Sequence, residues 1–185
     1  LKLYIMESMV KKAFEYAERQ HRITNHEYDG KPYTVHLEMV FYTGIKFIQL
    51  APKNWHETLL AACWLHDVIE DCRITYNDLV GDFNPTVANL VYAVTNEKGK
   101  NRAERVNDTY YEGITSQENA VFVKLCDRIA NVEYSKNNKS SMFDKYKKEN
   151  KDFITKLKLW DDATNRYNNS TYMDMAIYLS ELFKN

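Results

Sequence analysis

The chain has 185 residues, 44% hydrophobic and 28% charged, close to globular averages of about 45–50% and 25%, which excludes disordered, collagen-like and coiled-coil classes. Lys and Arg number 25 against 26 Asp and Glu, a formal net charge of -1, so no global field draws the chain to nucleic acid or to an anionic membrane. Five glycines and three prolines make up about 4% of the residues, against about 12% in average usage, which leaves few hairpin punctuators and predicts one mostly helical domain over residues 1–185.

The apolar residues Ile5, Met9, Ala13, Tyr16 and Ala17 recur at helical spacing and predict a helix from Tyr4 to Arg19, ending near His21. Asn25, Asp29, Gly30 and Pro32 mark the following stretch as a loop. A second helix is predicted from Tyr33 to Leu50 and a third from Trp55 to Asp71, with Asn54 as N-cap and Glu57 completing a capping box. Thr75 opens a short helix to Gly81, and Asn84 with Pro85 opens another through Val94. After a charged loop from Asn96 to Asn101, helices are expected over 102–114, 117–136, 142–160 and 169–183, with no strand pattern competing. No apolar run approaches the roughly 18 residues of a membrane span, and Leu1-Lys2-Leu3-Tyr4-Ile5 lacks a signal-peptide core, so a cytoplasmic location is expected. Cys63, Cys72 and Cys126 lack C-x-x-C spacing and read as reduced packing residues.

Chemistry concentrates in Leu65-His66-Asp67-Val68-Ile69-Glu70-Asp71. At about 100° per residue, His66, Asp67, Glu70 and Asp71 span an arc of about 140° and can face one cleft. Burying carboxylates on so apolar a helix requires a metal or another cation. One helix cannot close a coordination shell, so further ligands must come from elsewhere. His36, in Pro32-Tyr33-Thr34-Val35-His36, and Asp127, in Val123-Lys124-Leu125-Cys126-Asp127-Arg128, are well placed. Taken singly, His36 reads as a structural histidine and Asp127 as a salt-bridge partner; as a set, two imidazoles and two carboxylates suit manganese, iron or zinc.

In this order the residues His36, His66-Asp67 and Asp127 resemble the HD-domain metal-dependent phosphohydrolases. More narrowly, Tyr16-Ala17 with His21, Gly30-Lys31-Pro32-Tyr33-Thr34-Val35-His36, Leu65-His66-Asp67-Val68-Ile69-Glu70-Asp71, Val94-Thr95 and Val123-Lys124-Leu125-Cys126-Asp127-Arg128-Ile129-Ala130-Asn131 resemble the hydrolase domain of RelA/SpoT enzymes in its small single-domain form. The resemblance covers about residues 10 to 135, with helices over 142–183 completing the core, and implies an all-α helical bundle with a metal site between helices. It implies that His36, His66, Asp67 and Asp127 bind one divalent ion, usually manganese, and that Glu70 and Asp71 are the catalytic pair. The implied reaction removes the 3′-pyrophosphate from guanosine tetra- or pentaphosphate, with Glu70 or Asp71 orienting or deprotonating the attacking water. It also implies that Lys98, Lys100, Arg102 and Arg105 face the polyphosphate and that Asn131 contacts the nucleoside.

The chain departs from that pattern where the family usually carries an Arg-Lys pair before G-x-P-Y, having His26-Glu27-Tyr28-Asp29 instead, and Tyr134 replaces a small hydroxyl residue. His26, Tyr28 and Tyr134 are the candidates for stacking on the base, which is expected between the His26–Tyr28 loop and the segment bearing Asn131 and Tyr134. No second motif region resembling the family's synthetase is found. A small-molecule nucleotide is the expected partner. Two other readings stay open: an HD phosphohydrolase on another nucleotide, such as a nicotinamide dinucleotide phosphate or a deoxynucleotide, and a non-catalytic nucleotide sensor on the same fold.

Overall fold

The most apolar run of the chain is also its most buried, with Leu59, Ala61, Ala62, Cys63 and Leu65 sealed from solvent. The computed structural model describes residues 2–184 and their side chains other than those of 2–8, 102 and 103. Ile5, expected on the apolar face of the first helix, and the candidate phosphate contact Arg102 therefore have side chains outside the described residues. The elements run α1 (Lys2–Ile23), β1 (Glu27–Tyr28), β2 (Lys31–Pro32), α2 (Thr34–Phe47), α3 (His56–Leu65), α4 (Val68–Asp71), α5 (Tyr76–Asp82) and α6 (Pro85–Val94). There follow α7 (Arg102–Arg105), α8 (Asp108–Ser116), α9 (Ala120–Asn137), α10 (Met142–Lys156), β3 (Trp160–Asp161), β4 (Arg166–Tyr167) and α11 (Met173–Glu181). The all-α architecture expected from composition is what the chain adopts.

Helix α3 is the axis of the bundle, packed by α1, α2, α6 and α9, while α10 and α11 lie against α9. Its apolar residues surround the helix, the pattern of an element buried on all sides. Leu37, Leu90, Phe122 and Ile129 fill the space around it without exposure, and the buried cluster runs from Ala13 to Phe183. All three cysteines are free and buried. Among the described residues no helix is long and apolar enough to cross a membrane.

Local signals set the starts of α5 and α6. The Thr75 side chain accepts from Asp78 N–H while Asp78 accepts from Thr75 N–H, a complete capping box. Asn84 accepts from Val87 N–H at 3.0 Å, with Pro85 at the first helical position.

Elsewhere the structure corrects the sequence reading. The expected third helix is broken at His66–Asp67, and Asn54 is no cap: Lys53–Trp55 form a 3-10 turn, leaving Trp55 at the start of α3 without a side-chain cap. The helix expected over 102–114 stops at Arg105 and restarts after Asn107, whose side chain accepts from Tyr110 N–H. Two short hairpins occur where none was expected. In the first, Asp29 and Gly30 both have positive φ, the Asp-Gly arrangement of a two-residue turn between β1 and β2. In the second, Trp160 pairs with Tyr167 instead of extending α10, which ends at Lys156.

Truncating a side chain on the α9 core face should cost far more than deleting a cap. Phe122→Ala is expected to lose about 3–5 kcal/mol of unfolding free energy and Asn84→Ala about 1 kcal/mol. Urea denaturation with an unchanged m-value checks both, and equal losses would show that Phe122 is not part of a tightly packed core.

Candidate metal centre

His36 rises from the first turn of α2, His66 and Asp67 from the break between α3 and α4, and Asp127 from the middle of α9. These segments approach closely because Gly44 on α2 has no side chain: a Cβ there would stand 3.1 Å from Cys63 Sγ and 3.3 Å from Leu60 Cδ2. The break is anchored by His66 itself, whose Nδ1 lies 3.0 Å from the Cys63 carbonyl. A carbonyl can only accept, so Nδ1 carries the proton and Nε2 is left with its lone pair directed into the site.

Four donor atoms converge there. His66 Nε2 is 3.2 Å from His36 Nε2 and 2.9 Å from Asp67 Oδ2. His36 Nε2 is 3.7 Å from Asp67 Oδ2 and 3.4 Å from Asp127 Oδ1, and His66 Nε2 is 4.0 Å from Asp127 Oδ1. His36 is 2% and His66 3% exposed. Lone pairs and carboxylate oxygens this close repel unless a positive charge lies among them. His36, His66 and Asp67 group as potential ligands of one ion, and with Asp127 beside them the two-nitrogen, two-oxygen donor set is suited to a divalent metal between α2, the α3–α4 break and α9.

The electrostatics of the cluster follow from the same proximity. Burial alone would lower the His66 imidazole, yet Asp67 and Asp127 overcome it and raise the group to about 9. Burial would raise Asp127, but the Lys124 ammonium, 2.9 Å from Oδ2, holds the carboxyl well below the usual carboxylate range. Asp67 is likewise driven down against burial, chiefly by His66. Two further groups, to which the sequence analysis gives no role, thus complete the site: half-buried Lys124 on Asp127, and buried Tyr33, whose hydroxyl donates to Asp67. Tyr33 lies in the G-x-P-Y motif, three residues before His36, and Lys124 one helical turn before Asp127.

A cleft of about 300 Å³ opens beside the cluster, lined among others by Asp67, Glu70, Asp71, Lys124, Asp127 and Asn131. Glu70 is exposed there and accepts from the Asn96 side chain at 2.7 Å. Burial, followed by Asp67 and Glu70, pushes the Asp71 carboxyl up to about 7, and His26 Nδ1 stands 3.2 Å from its Oδ2. Lys98 and Arg105 line a larger adjoining cleft of about 760 Å³, which shares Glu70 and Asn96 with the first. Lys100 is exposed and lines neither cleft; its backbone N–H donates to Glu104.

The slot expected for a base is bridged by the protein itself. Tyr28 stacks on His36 at 4.8 Å, and its hydroxyl donates to Asn131 Oδ1 at 2.9 Å. Asn131 in turn donates to Asp127, and the Tyr134 hydroxyl donates to Asp29 at 2.8 Å. His26 lies against the Tyr33 ring at 4.2 Å.

An all-α bundle with a buried His/Asp metal site between helices defines the class of protein. A family model for the HD domain matches residues 13–157, and the chain belongs to the HD domain family. Among curated relatives it is 32% identical over 127 residues to a guanosine-3′,5′-bis(diphosphate) 3′-pyrophosphohydrolase of Aquifex aeolicus, covering 67% of this chain and 17% of that protein. It is 29% identical over 118 residues to the MESH1 guanosine-3′,5′-bis(diphosphate) 3′-pyrophosphohydrolase of Danio rerio, covering 63% of each. The chain thus spans about a sixth of the bacterial relative and just under two thirds of the fish one. In fold it matches a solved metazoan ortholog of SpoT described as hydrolyzing ppGpp, with a TM-score of 0.69, 24% identity and coverage of 95% of this chain and 94% of that one.

An ion that binds only the folded state adds about 2.7 kcal/mol at one hundred times its dissociation constant. Chelation is therefore expected to lower Tm and a divalent ion to restore it, with a smaller restoration in His66→Ala. Differential scanning fluorimetry measures this, and an unchanged Tm on chelation and re-addition would count against the site.

Proposed function

We propose that this protein is a metal-dependent phosphohydrolase that releases pyrophosphate from the 3′ position of guanosine 3′,5′-bis(diphosphate) and its pentaphosphate form. The observation that carries the reading is the cluster of His36, His66 and Asp67, with Asp127 Oδ1 3.4 Å from His36 Nε2, opening onto a cleft that holds Glu70. The names of the relatives supply the substrate class. We assign the ion as manganese, with iron and zinc also compatible with the donor set, and place the protein in the cytoplasm with its nucleotide substrate.

In this reading His36, His66, Asp67 and Asp127 hold the ion. When bound, the ion supplies Lewis acidity, acidifying water and offsetting phosphate charge. Glu70 is the general base. It is exposed to the cleft and oriented by Asn96, whereas Asp71 is engaged by His26. Lys124 keeps Asp127 ionised and Tyr33 orients Asp67. Lys98 and Arg105, in the lining of the adjoining cleft, receive the polyphosphate, with Lys100 on the same segment adding positive charge.

Replacing Glu70 by Gln removes the base and leaves the ion's ligands whole. Turnover is expected to fall about 10²–10⁴-fold with metal content unchanged. Steady-state kinetics beside elemental analysis tests this, and full activity in Glu70→Gln would transfer the role to another group.

A second reading, an HD phosphohydrolase of different base preference, is favoured by one observation: Tyr28, Asn131 and Tyr134 bond to protein partners where the base is expected. Aromatic stacking tolerates any base and contributes about 1–3 kcal/mol. Selectivity for guanine is therefore expected to be weak when kcat/KM is compared for guanosine and adenosine 3′-pyrophosphates. Turnover of neither, with rapid hydrolysis of a nucleotide lacking a 3′-phosphate, would establish the second reading in place of the first.

A further inference from the structure

A second set of side chains that could hold a metal lies beside the first: His21, which the chemistry described so far does not use, with His26 and Asp71. His21, 1% exposed, comes from the last turn of α1, His26 from the turn before β1, and Asp71 from the end of α4. His21 Nδ1 and His26 Nδ1 are 3.4 Å apart, and His26 Nδ1 is 3.2 Å from Asp71 Oδ2. One ligand atom from each of the three falls within 4.8 Å of the other two.

The geometry is held from several sides. His26 N–H donates to the His21 carbonyl at 3.0 Å, tying the turn back onto the helix. The rings of His21 and His26 lie on Tyr33 at 4.4 and 4.2 Å, with interplanar angles of 18° and 12°. Asp71 N–H donates to the Asp67 carbonyl at 2.9 Å, which fixes the carboxylate one turn beyond a ligand of the first site. Tyr33, which donates to Asp67, forms the wall between the two clusters.

Hydrogen bonds alone serve this arrangement poorly. His26 Nδ1 faces both an imidazole nitrogen and a carboxylate oxygen, and it cannot donate its single hydrogen fully to both. A cation placed among the three atoms would accept lone pairs from all of them. We propose that His21, His26 and Asp71 form a second metal site that takes a borderline divalent ion such as zinc. Two imidazoles and one carboxylate are the donor set of open zinc and other first-row sites, and unlike an all-oxygen shell they discriminate against calcium and magnesium. His26 and Asp71 line the 300 Å³ cleft, so the remaining coordination positions face it and are open to water or to an anionic oxygen. The site stands on this geometry and does not depend on which nucleotide the protein hydrolyses.

The test is the number of zinc ions bound per chain, measured by equilibrium dialysis and elemental analysis on the chelator-stripped full chain. The wild type is expected to bind two. His26→Ala and the isosteric Asp71→Asn should each bind one, His66→Ala should bind one, and the double variant of His26→Ala with His66→Ala should bind none. One ion in the wild type with an unchanged count in both His26→Ala and Asp71→Asn would overturn the second site and leave the first intact. Two ions retained in both of those variants would overturn it as well. Loss of an ion in His66→Ala tests the first site separately, so failure of one is distinguishable from failure of the other. Magnesium at the same concentration is expected not to compete for the ion lost in His26→Ala, and full competition would overturn the assignment of a nitrogen-bearing site.

Discussion

Two carboxylates, Asp67 and Asp127, are held against two buried imidazoles at the centre of a helical protein, and this arrangement demands positive charge. Leaving a carboxylate unpaired in such surroundings costs several kcal/mol. Part of the demand is met inside the protein, by Lys124 on Asp127 and by the Tyr33 hydroxyl on Asp67. The rest falls on whatever occupies the space between the four donor atoms, a proton on His66 or a metal ion.

That constraint accounts for features that otherwise look like irregularities. The chain interrupts its most buried helix at His66–Asp67, and the His66 side chain bonds to the Cys63 carbonyl at the break. The same interruption turns Asp67 toward α2 and α9. Gly44 then lets α2 come within reach of α3, so that His36 meets His66 across a gap of 3.2 Å. The packing of three helical segments and the chemistry of the site are thus one arrangement, in which a larger residue at Gly44 disturbs both.

What could be read from the sequence follows the range of the interactions involved. The starts of α5 and α6 are set by residues three apart, Thr75 with Asp78 and Asn84 with Val87, and such signals survive without knowledge of the fold. The break in the third helix depends on where the His66 ring turns, and periodicity carries no trace of it. The hairpin at Asp29–Gly30 had its dipeptide signal in plain view, but strands of two residues are too short for an alternation pattern. For the site, spacing placed His66 and Asp67 with Glu70 and Asp71. That His36 and Asp127 lie beside them is a matter of long-range packing; the need for ligands from other helices makes them candidates, and likeness to a family joins them to the set. Tyr28 and Tyr134 are candidates for base stacking in the sequence, which gives no sign of their partners Asn131 and Asp29, about a hundred residues away in the chain.

The hairpin of β1 and β2 lies over the first turn of α2, joined to α9 by the bonds of Tyr28 with Asn131 and of Tyr134 with Asp29. A ligand entering between the hairpin and α9 must first find the bonds broken, and at about 0.5–1.5 kcal/mol each the open form is the minor conformer by a factor of roughly five to two hundred. Apparent affinity is reduced by that population. A ligand regains the loss only by offering two hydrogen-bond donors, one to Asn131 Oδ1 and one to the Asp29 carboxylate, so the latch screens for donors before any contact with the metal centre is made.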